Sequence, residues 1–412
     1  MVRPAAQGDA LLANDHFAVP DHVSPDRVFE FDLFNDQRFD PDPIDGYAEL
    51  VSQAPDIFYT PLNGGHWVLT RHDHILRALK SPQDFSSRNL DIPRTETPST
   101  LLPLTLDPPQ HTPYRQVLAQ FFSAKAMHAL EPHIRDWAER LIVGVIDEGG
   151  CDFMAQIGSV LPVSVFMQLM GLPLERLAEF RGWTDEAFHA TQSDERAAVY
   201  GRIVDFMTEV IEARRIERQD DLVSRLIDAE IDGRRLSLEE LQGLSLLLFV
   251  AGMDTVANAM TFAARHLAHD SDLQQRLAGD PTLIPGFVEE VLRRYAFTNT
   301  TRMVARDVDF DGVAMRAGEM VLLSLTSAGL DPRFADDPLR FNSERGADDH
   351  LTFGGGPHKC VGRHLARIEL RILLEELLAR VRDIRMAPGA VTRIRAGHAM
   401  APDRLDIRFE RA

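Results

Sequence analysis

The chain has 412 residues, of which 44% are hydrophobic, and a net charge of −19 at pH 7. This composition supplies a large core, and the acidic balance disfavours nucleic acid or an anionic membrane as the main partner. Only two cysteines, no signal-peptide pattern in residues 1–20 and no run of about 18 uninterrupted apolar residues predict a cytoplasmic protein that spans no membrane.

The first quarter of the chain predicts little helix. Residues 1–45 are rich in Pro and Asp and predict a surface segment with little regular structure. Segments 56–60 and 66–71 flank a glycine-bearing turn and predict a β-hairpin, followed by a helix at 72–79. The stretch 85–106 has no clear periodicity, and loops of that length are usually functional. Asp107-Pro108-Pro109 then predicts a helix start with Asp107 as the N-cap.

Helical patterns follow at 127–145, 160–170, 174–188, 197–218 and 237–270. The last one begins with a capping box and predicts a long, largely buried helix. Its centre reads Ala251-Gly252-Met253-Asp254-Thr255, where a glycine, an acid and a hydroxyl each cost stability unless they have a partner or a function. Taken alone, a packing glycine beside a locally satisfied Asp and Thr explains this run equally well. Strand segments are predicted within 304–323, 383–386 and 405–409.

The most informative stretch is 353–362, Phe-Gly-Gly-Gly-Pro-His-Lys-Cys-Val-Gly, which sets Cys360 in a glycine-rich turn before a helical pattern. Glycines let the backbone approach the sulfur, and a helix N-terminus favours the thiolate over the thiol. Such a cysteine could be a buried structural thiol, a nucleophile, a zinc ligand or the axial ligand of a haem iron. Zinc is disfavoured because the only other cysteine is Cys151 and no Cys-x-x-Cys pair exists.

The run at 353–362 resembles the haem-binding signature of the cytochrome P450 superfamily, Phe-x-x-Gly-x-x-x-Cys-x-Gly, through Phe353, Gly356, Cys360 and Gly362. Three further motifs in the family's order match it: the acid–alcohol run at 251–255, Glu-x-x-Arg at 290–293 and Pro-x-Arg-Phe at 338–341. The resemblance implies one P450 domain over residues 1–412. Its fold is expected to be mainly α with small β-sheets, a triangular prism with a small β-rich N-terminal region.

The resemblance also implies functional residues. Haem b would be held by Cys360 as the axial ligand, with its propionates bound by His111, Arg115, Arg302 and His358 and with Phe353 and Gly362 beside it. Gly252 would leave room for dioxygen, Thr255 would hydrogen-bond it, and Asp254 would relay protons from solvent. Glu290, Arg293 and Arg340 would form a buried charge triad that seats the haem. The substrate would contact residues on the long helix and after the Glu-x-x-Arg helix, namely Leu247, Val250, Thr298 and Thr300.

Within the superfamily the chain resembles bacterial camphor-type hydroxylases, through Asn-Gly-Gly-His-Trp at 63–67 and Phe-Ser-Ser at 85–87. It departs from them in having no tyrosine at 90–106, where only Ser99 and Thr100 lie near the family's substrate-binding tyrosine. Losing that donor disfavours camphor, so another small terpenoid or norisoprenoid, such as cineole, ionone or a camphor relative, is expected. His398 is a candidate polar contact in the pocket.

The resemblance implies a monomeric, class I monooxygenase. Its partners would be O₂, a [2Fe–2S] ferredoxin and an NAD(P)H-dependent ferredoxin reductase, with the ferredoxin docking at Lys359, Arg363 and Arg367. Two alternatives stay open: a peroxide-driven peroxygenase of the same fold, and a non-catalytic haem-thiolate sensor of gases or ligands. The Asp254-Thr255 pair disfavours the first, and the lack of a visible signalling domain disfavours the second.

Overall fold

The structure is a computed structural model that describes residues 16–96, 100–189, 193–346 and 349–412. Ser99 therefore lies outside the described residues. The helices, numbered in chain order, are α1 Pro43–Gln53, α2 His72–Leu79, α3 His111–Phe121, α4 Ala124–His128, α5 Glu131–Ile146, α6 Val160–Met170, α7 Leu177–His189, α8 Ser193–Ile216, α9 Leu222–Asp228, α10 Leu238–Met253, α11 Thr255–Leu267, α12 Ser271–Gly279, α13 Ile284–Arg294, α14 Leu325–Gly329 and α15 Arg363–Arg380.

The strands are β1 Ile57–Thr60, β2 His66–Leu69, β3 Phe85–Ser86, β4 Gly150–Asp152, β5 Glu230–Ile231, β6 Arg234–Arg235, β7 Thr300–Val304, β8 Val308–Phe310, β9 Val313–Met315, β10 Met320–Leu323, β11 Val381–Met386, β12 Ile394–Arg395, β13 Ala401–Pro402 and β14 Asp406–Arg411. The largest sheet has the order β1-β2-β10-β7-β3. The predicted hairpin is confirmed: β1 and β2 pair antiparallel, with Tyr59 opposite Trp67. All residues of the edge strand β1 and of the central strands β2 and β10 are buried, so these three strands expose neither face to solvent.

The helix predicted over 237–270 is two helices, α10 and α11, separated at Asp254. The capping box of Ser237 and Glu240 is confirmed at its start. Asp254 leaves the helical conformation with φ −124° and ψ −32°, and the Thr255 hydroxyl donates to the Ala251 carbonyl at 3.2 Å. The stretch Leu238–Leu267 is apolar enough to cross a membrane by length and composition, but 61% of its most apolar window is buried, as in a core helix.

Asp107 does not cap a helix, contrary to the sequence-based expectation. Helix α3 begins at His111, and its N-cap residue is Gln110. The Asp107 carboxylate instead accepts hydrogen bonds from the Ser86 hydroxyl at 2.5 Å and the Ser87 N–H at 2.8 Å. Asp107 therefore ties the start of the haem-side helix α3 to the end of β3, because a short acidic side chain binds whichever donors packing brings within reach.

The buried charge triad contains Arg345 where the sequence predicted Arg340. Glu290 and Arg293 are almost fully buried and joined by two hydrogen bonds of 2.8 Å. The third member is Arg345, whose Nε lies 3.3 Å from Glu290 Oε1 and whose guanidinium also donates to the carbonyls of Asp337 and Arg340. Arg340 itself is exposed. Burial leaves Glu290 in need of a second cationic donor, and among the described residues Arg345 supplies it.

This correction can be tested by replacing each arginine. Arg345→Gln should lower the free energy of unfolding by about 1–3 kcal/mol, because Glu290 loses a charged donor and several carbonyls lose a partner. Arg340→Gln should change it by less than about 0.5 kcal/mol, as exposed substitutions usually do. Chemical denaturation of the two variants measures both values. An equal loss in the two, or a larger one for Arg340→Gln, would contradict the assignment.

Candidate active site

A cavity of about 260 Å³ lies between the α10–α11 break and the turn that carries Cys360. Its wall is mainly apolar and brings together six residues predicted from the sequence, which come from three separate segments: Gly252, Thr255, Thr298, Phe353, Cys360 and Gly362. Other lining residues include Phe122, Phe166, Leu248, Ala251, Val256, Leu365 and Glu369. The cavity is therefore an apolar slot with a thiol on one wall and a hydroxyl on another.

The cysteine turn is held in shape by its backbone. The Cys360 N–H donates to the Phe353 carbonyl at 2.8 Å. Gly356 has φ +61°, and a Cβ there would lie 2.2 Å from the Leu79 carbonyl oxygen, so only glycine fits. Helix α15 starts three residues after Cys360, at Arg363. Its N-terminal amides therefore lie beside the sulfur.

The two cysteines have different electrostatic surroundings. The accessible surface of Cys360 faces the cavity rather than bulk solvent. Burial raises the pKa of Cys360, whereas the backbone N–H groups of Gly362 and Arg363 and the guanidinium of Arg115 oppose that rise. For Cys151, burial and neighbouring carboxylates raise the pKa to about 12, with no cation opposing them. Only Cys360 is thus placed to act as a thiolate ligand.

On the opposite wall, the break in the long helix brings Gly252 and Thr255 to the cavity. A Cβ on Gly252 would lie 2.5 Å from the Phe166 ring, so this glycine also admits the neighbouring aromatic side chain. Asp254 does not line the cavity; its carboxylate lies 3.5 Å from Asn258 Nδ2. The Thr255 hydroxyl therefore faces the cavity, whereas the Asp254 carboxylate lies outside the cavity wall.

The four predicted propionate-binding residues come together beside the turn. The rings of His111 and His358 lie 4.2 Å apart, and Arg115 donates to the Lys359 carbonyl. Arg302 is buried and donates to the Thr301 carbonyl at 2.7 Å and to the Thr300 hydroxyl at 3.1 Å.

Among the described residues, the carboxylate that acts on Arg302 and His111 in this cluster is that of Asp107. Burial lowers the pKa of Arg302 to about 10, and burial together with the charges of Arg302, His111 and Arg115 lowers the pKa of His358 to about 3. The buried Nε2 of His358 has no hydrogen-bond partner among the described residues. The nearby carboxylate of Asp107 is already bound by Ser86 and Ser87. Such a site would be stabilised by an incoming carboxylate, which supplies both the charge and the acceptors.

Of the four residues predicted to contact the substrate, Thr298 lines the cavity and the other three do not. Thr298 lines the cavity, and its hydroxyl is 3.4 Å from the Thr352 carbonyl. Leu247 and Val250 are half-buried and lie one residue before Leu248 and Ala251, which do line it. Thr300 accepts the hydrogen bond from Arg302. The roles of Leu247, Val250 and Thr300 stay predictions.

Glu369 is an acid in the cavity wall that sequence reasoning missed. It lies on α15 between Ile368 and Leu370, is 1% exposed, and its Oε1 has no partner among the described residues. Burial raises the pKa of Glu369 well above its ordinary value, because the charged form of the carboxyl would be desolvated. A charged residue type within the apolar stripe of a helix was the available signal.

Known proteins resemble this chain over most of its length. Residues 180–280 and 282–384 match the family model "Cytochrome P450". A probable cytochrome P450 127A1 of Sinorhizobium fredii is 35% identical over 390 residues, covering 92% of this chain and 94% of the relative. The chain belongs to the cytochrome P450 family. A Pseudonocardia autotrophica protein named vitamin D(3) 25-hydroxylase is 33% identical, covering 87% of this chain and 91% of its own.

Solved structures show the same fold. The crystal structure of CYP101J2 is 34% identical and superposes with a TM-score of 0.88 over 95% of this chain and 99% of its own. CYP101C1, at 29% identity, also gives 0.88, over 95% and 100%. The P450 fold, largely helical with several small sheets, is therefore confirmed, and so is membership of the bacterial P450 monooxygenases.

Haem b, the cofactor of this family, fits the residues present. Cys360 would offer its sulfur to the iron, the apolar cavity wall would face the macrocycle, and the cationic cluster beside the turn would face the two propionates. The orphaned His358 Nε2 is the most direct sign of this fit, because a buried ring nitrogen without a partner is costly.

The protonation of Glu369 gives a pH-dependent prediction. Because its folded pKa is raised, the folded state binds the proton more tightly than the unfolded state, and stability falls as pH rises above the unfolded pKa. Glu369→Gln removes this penalty, so its stability relative to the parent should increase by up to about 1.4 kcal/mol per pH unit between about pH 5 and the folded pKa. Melting of both proteins across that range tests it; a constant difference would show that Glu369 is not held protonated.

Proposed function

We propose that this P450 inserts one oxygen atom of O₂ into a C–H bond of a compact terpenoid or norisoprenoid, with two electrons from NAD(P)H delivered through a ferredoxin reductase and a [2Fe–2S] ferredoxin. The observation that carries the reaction type is Cys360 facing Thr255 across one apolar cavity. A peroxide-driven enzyme has no use for a hydroxyl placed at a helix break, so this geometry favours the O₂-dependent reaction.

Each residue has a part in this reaction. Haem, when bound, supplies the activation of O₂. The Cys360 sulfur anchors the cofactor, and its thiolate is supported by the N–H groups of Gly362 and Arg363. The Thr255 hydroxyl holds a proton at the cavity wall, and Asp254, one residue away, passes protons to it from the outside. The apolar wall excludes bulk water.

A compact substrate is supported by the aromatic packing between α6, α7, α8 and α10. Phe166 lines the cavity and contacts Phe249 with ring centroids 6.5 Å apart. Phe249 is backed by Phe180 at 5.5 Å and Trp183 at 6.2 Å, both from α7. Phe206 of α8 lies 4.8 Å from Phe180. This stack occupies the space into which a larger pocket would extend.

The ferredoxin is proposed to dock on the face that carries the cysteine turn, where Lys359 is exposed. Arg363 donates to the Cys360 carbonyl at 3.1 Å and remains partly accessible. Arg367, by contrast, is bound by Glu289 through two hydrogen bonds, so its charge is largely compensated. We therefore keep Lys359 and Arg363 as docking residues. We also propose that the chain works as a soluble, cytoplasmic monomer with a single domain.

An optical experiment tests the ligand and the substrate class together. Reduction of the purified holoprotein under CO should give the strongly red-shifted Soret band of a thiolate complex, and Cys360→Ser should lose it. Titration of the ferric protein with small terpenoids should give a low-to-high-spin shift when a ligand displaces iron-bound water. Survival of the thiolate band in Cys360→Ser would refute the ligand, and shifts only with larger molecules, such as steroids, would refute the substrate class.

The role of Thr255 can be separated from its helix-stabilising bond. Thr255→Val should divert NADH electrons from product to peroxide, lowering the coupling of NADH to product by roughly 10-fold or more. Thr261→Val is the matched control, because its hydroxyl also bonds the carbonyl four residues earlier, at 2.8 Å, but does not line the cavity. The amounts of peroxide and of product formed per NADH consumed measure the coupling in each variant. Equal coupling in both variants would remove Thr255 from proton delivery.

A further inference from the structure

A second charged network lies beside the Glu290 triad. Glu289, one residue earlier on α13, accepts hydrogen bonds from Arg367 Nε at 2.5 Å and Nη2 at 2.7 Å. Its Oε2 also lies 3.1 Å from Nε2 of His350, whose side chain is fully buried. The three residues come from α13, from the segment before the cysteine turn and from α15, so they join three elements around the haem site.

The protonation of this network follows from its contacts. The Thr352 N–H points at Nδ1 of His350, 3.3 Å away, so Nδ1 is the acceptor and Nε2 carries the hydrogen that is donated to Glu289. Burial would raise the pKa of Glu289, but the hydrogen bonds from Arg367 and His350 outweigh burial and hold it at about 2. The Glu289 carboxylate is therefore charged at neutral pH.

The network reaches the cysteine turn through Phe353. The Arg367 guanidinium carbon lies 4.6 Å from the centroid of the Phe353 ring, and the His350 ring centroid lies 5.8 Å from it. The Phe353 carbonyl accepts the Cys360 N–H at 2.8 Å. A displacement of Phe353 would therefore be passed to the backbone of Cys360.

Phe353 is the last large side chain before a run of three glycines, 354–356. Glycine gives the turn its left-handed residues but provides no side chain that could anchor it. The position of the sulfur must then be imposed by what holds Phe353 on one side and helix α15 on the other.

We propose that Glu289, His350 and Arg367 are positioning residues that clamp Phe353 and thereby hold the Cys360 turn in the geometry for thiolate ligation. The proposal rests on Cys360 as the haem ligand and is independent of the substrate and of the ferredoxin. It gives Arg367 a role in the haem site in place of the docking role expected from its position in the sequence.

Glu289→Gln tests the clamp, with Glu375→Gln as the matched control. Both glutamates are 22% exposed, and both accept hydrogen bonds from arginine, Glu375 from Arg135 and Arg371. Glu375 contacts no residue of the cysteine turn among the described hydrogen bonds and ion pairs. Two readouts are used: the rate of haem transfer to an excess of a haem-scavenging apoglobin, and the rate at which the reduced CO complex loses its thiolate band.

We expect Glu289→Gln to raise both rates roughly 10- to 100-fold, as loss of an outer contact to a metal ligand does, and the control to stay within about 2-fold of the parent. Arg367→Lys keeps the positive charge but loses the flat contact with Phe353, so it should show an intermediate increase. The Arg367→Lys variant also tests the proposal if the Glu289→Gln variant does not fold. Rates equal to the control in the folded variants would overturn the clamp. A parent protein without a thiolate band would instead overturn the haem assignment.

Discussion

The position of the Cys360 sulfur is the constraint on which the haem site depends. A thiolate ligand must present its sulfur at a fixed place, yet the turn before it consists of glycines that have no preferred conformation of their own. Contacts beneath the turn hold it in place. The Phe353 carbonyl holds the Cys360 N–H, and charged networks built on the neighbouring residues Glu289 and Glu290 fix the segments on which the turn rests.

The opposite wall of the cavity is formed where the run from α10 to α11 is interrupted. The run from α10 to α11 is apolar and buried enough to continue as one helix, but Asp254 leaves the helical conformation. The Thr255 hydroxyl then takes the Ala251 carbonyl as its acceptor. The break is what allows a hydroxyl, with an acid next to it, to face an otherwise apolar wall. The break costs the helix stability, and it places the hydroxyl on the cavity wall where the reaction would occur.

The cost of the cationic cluster comes from buried positive charge. His111, Arg115, Arg302 and His358 come from distant parts of the chain and are partly or fully desolvated beside one another, a costly arrangement without a counter-charge. The nearby carboxylate, Asp107, is used to tie β3 to the start of α3. The cluster would therefore be stabilised by the carboxylates of haem. Such a carboxylate would give the His358 Nε2 the partner that it lacks among the described residues.

Local sequence patterns determined much of this protein. The capping box at Ser237, helices α2 and α6, the β1–β2 hairpin and the residues of the cysteine turn all follow from contacts within a few residues, which periodicity and turn chemistry express directly. The family motifs also named the thiol and the hydroxyl that face each other across the cavity, Cys360 and Thr255.

Tertiary structure alone decided which partners the buried charges found. Arg340 and Arg345 lie five residues apart in an irregular segment, and nothing local distinguishes the one that reaches Glu290. The same holds for Asp107, for the clamp of Glu289, His350 and Arg367, and for Glu369, whose protonation depends on the apolar surroundings that packing creates. Hydrogen bonds and desolvation act between groups that are distant in sequence, so their outcome is settled only once the helices have packed.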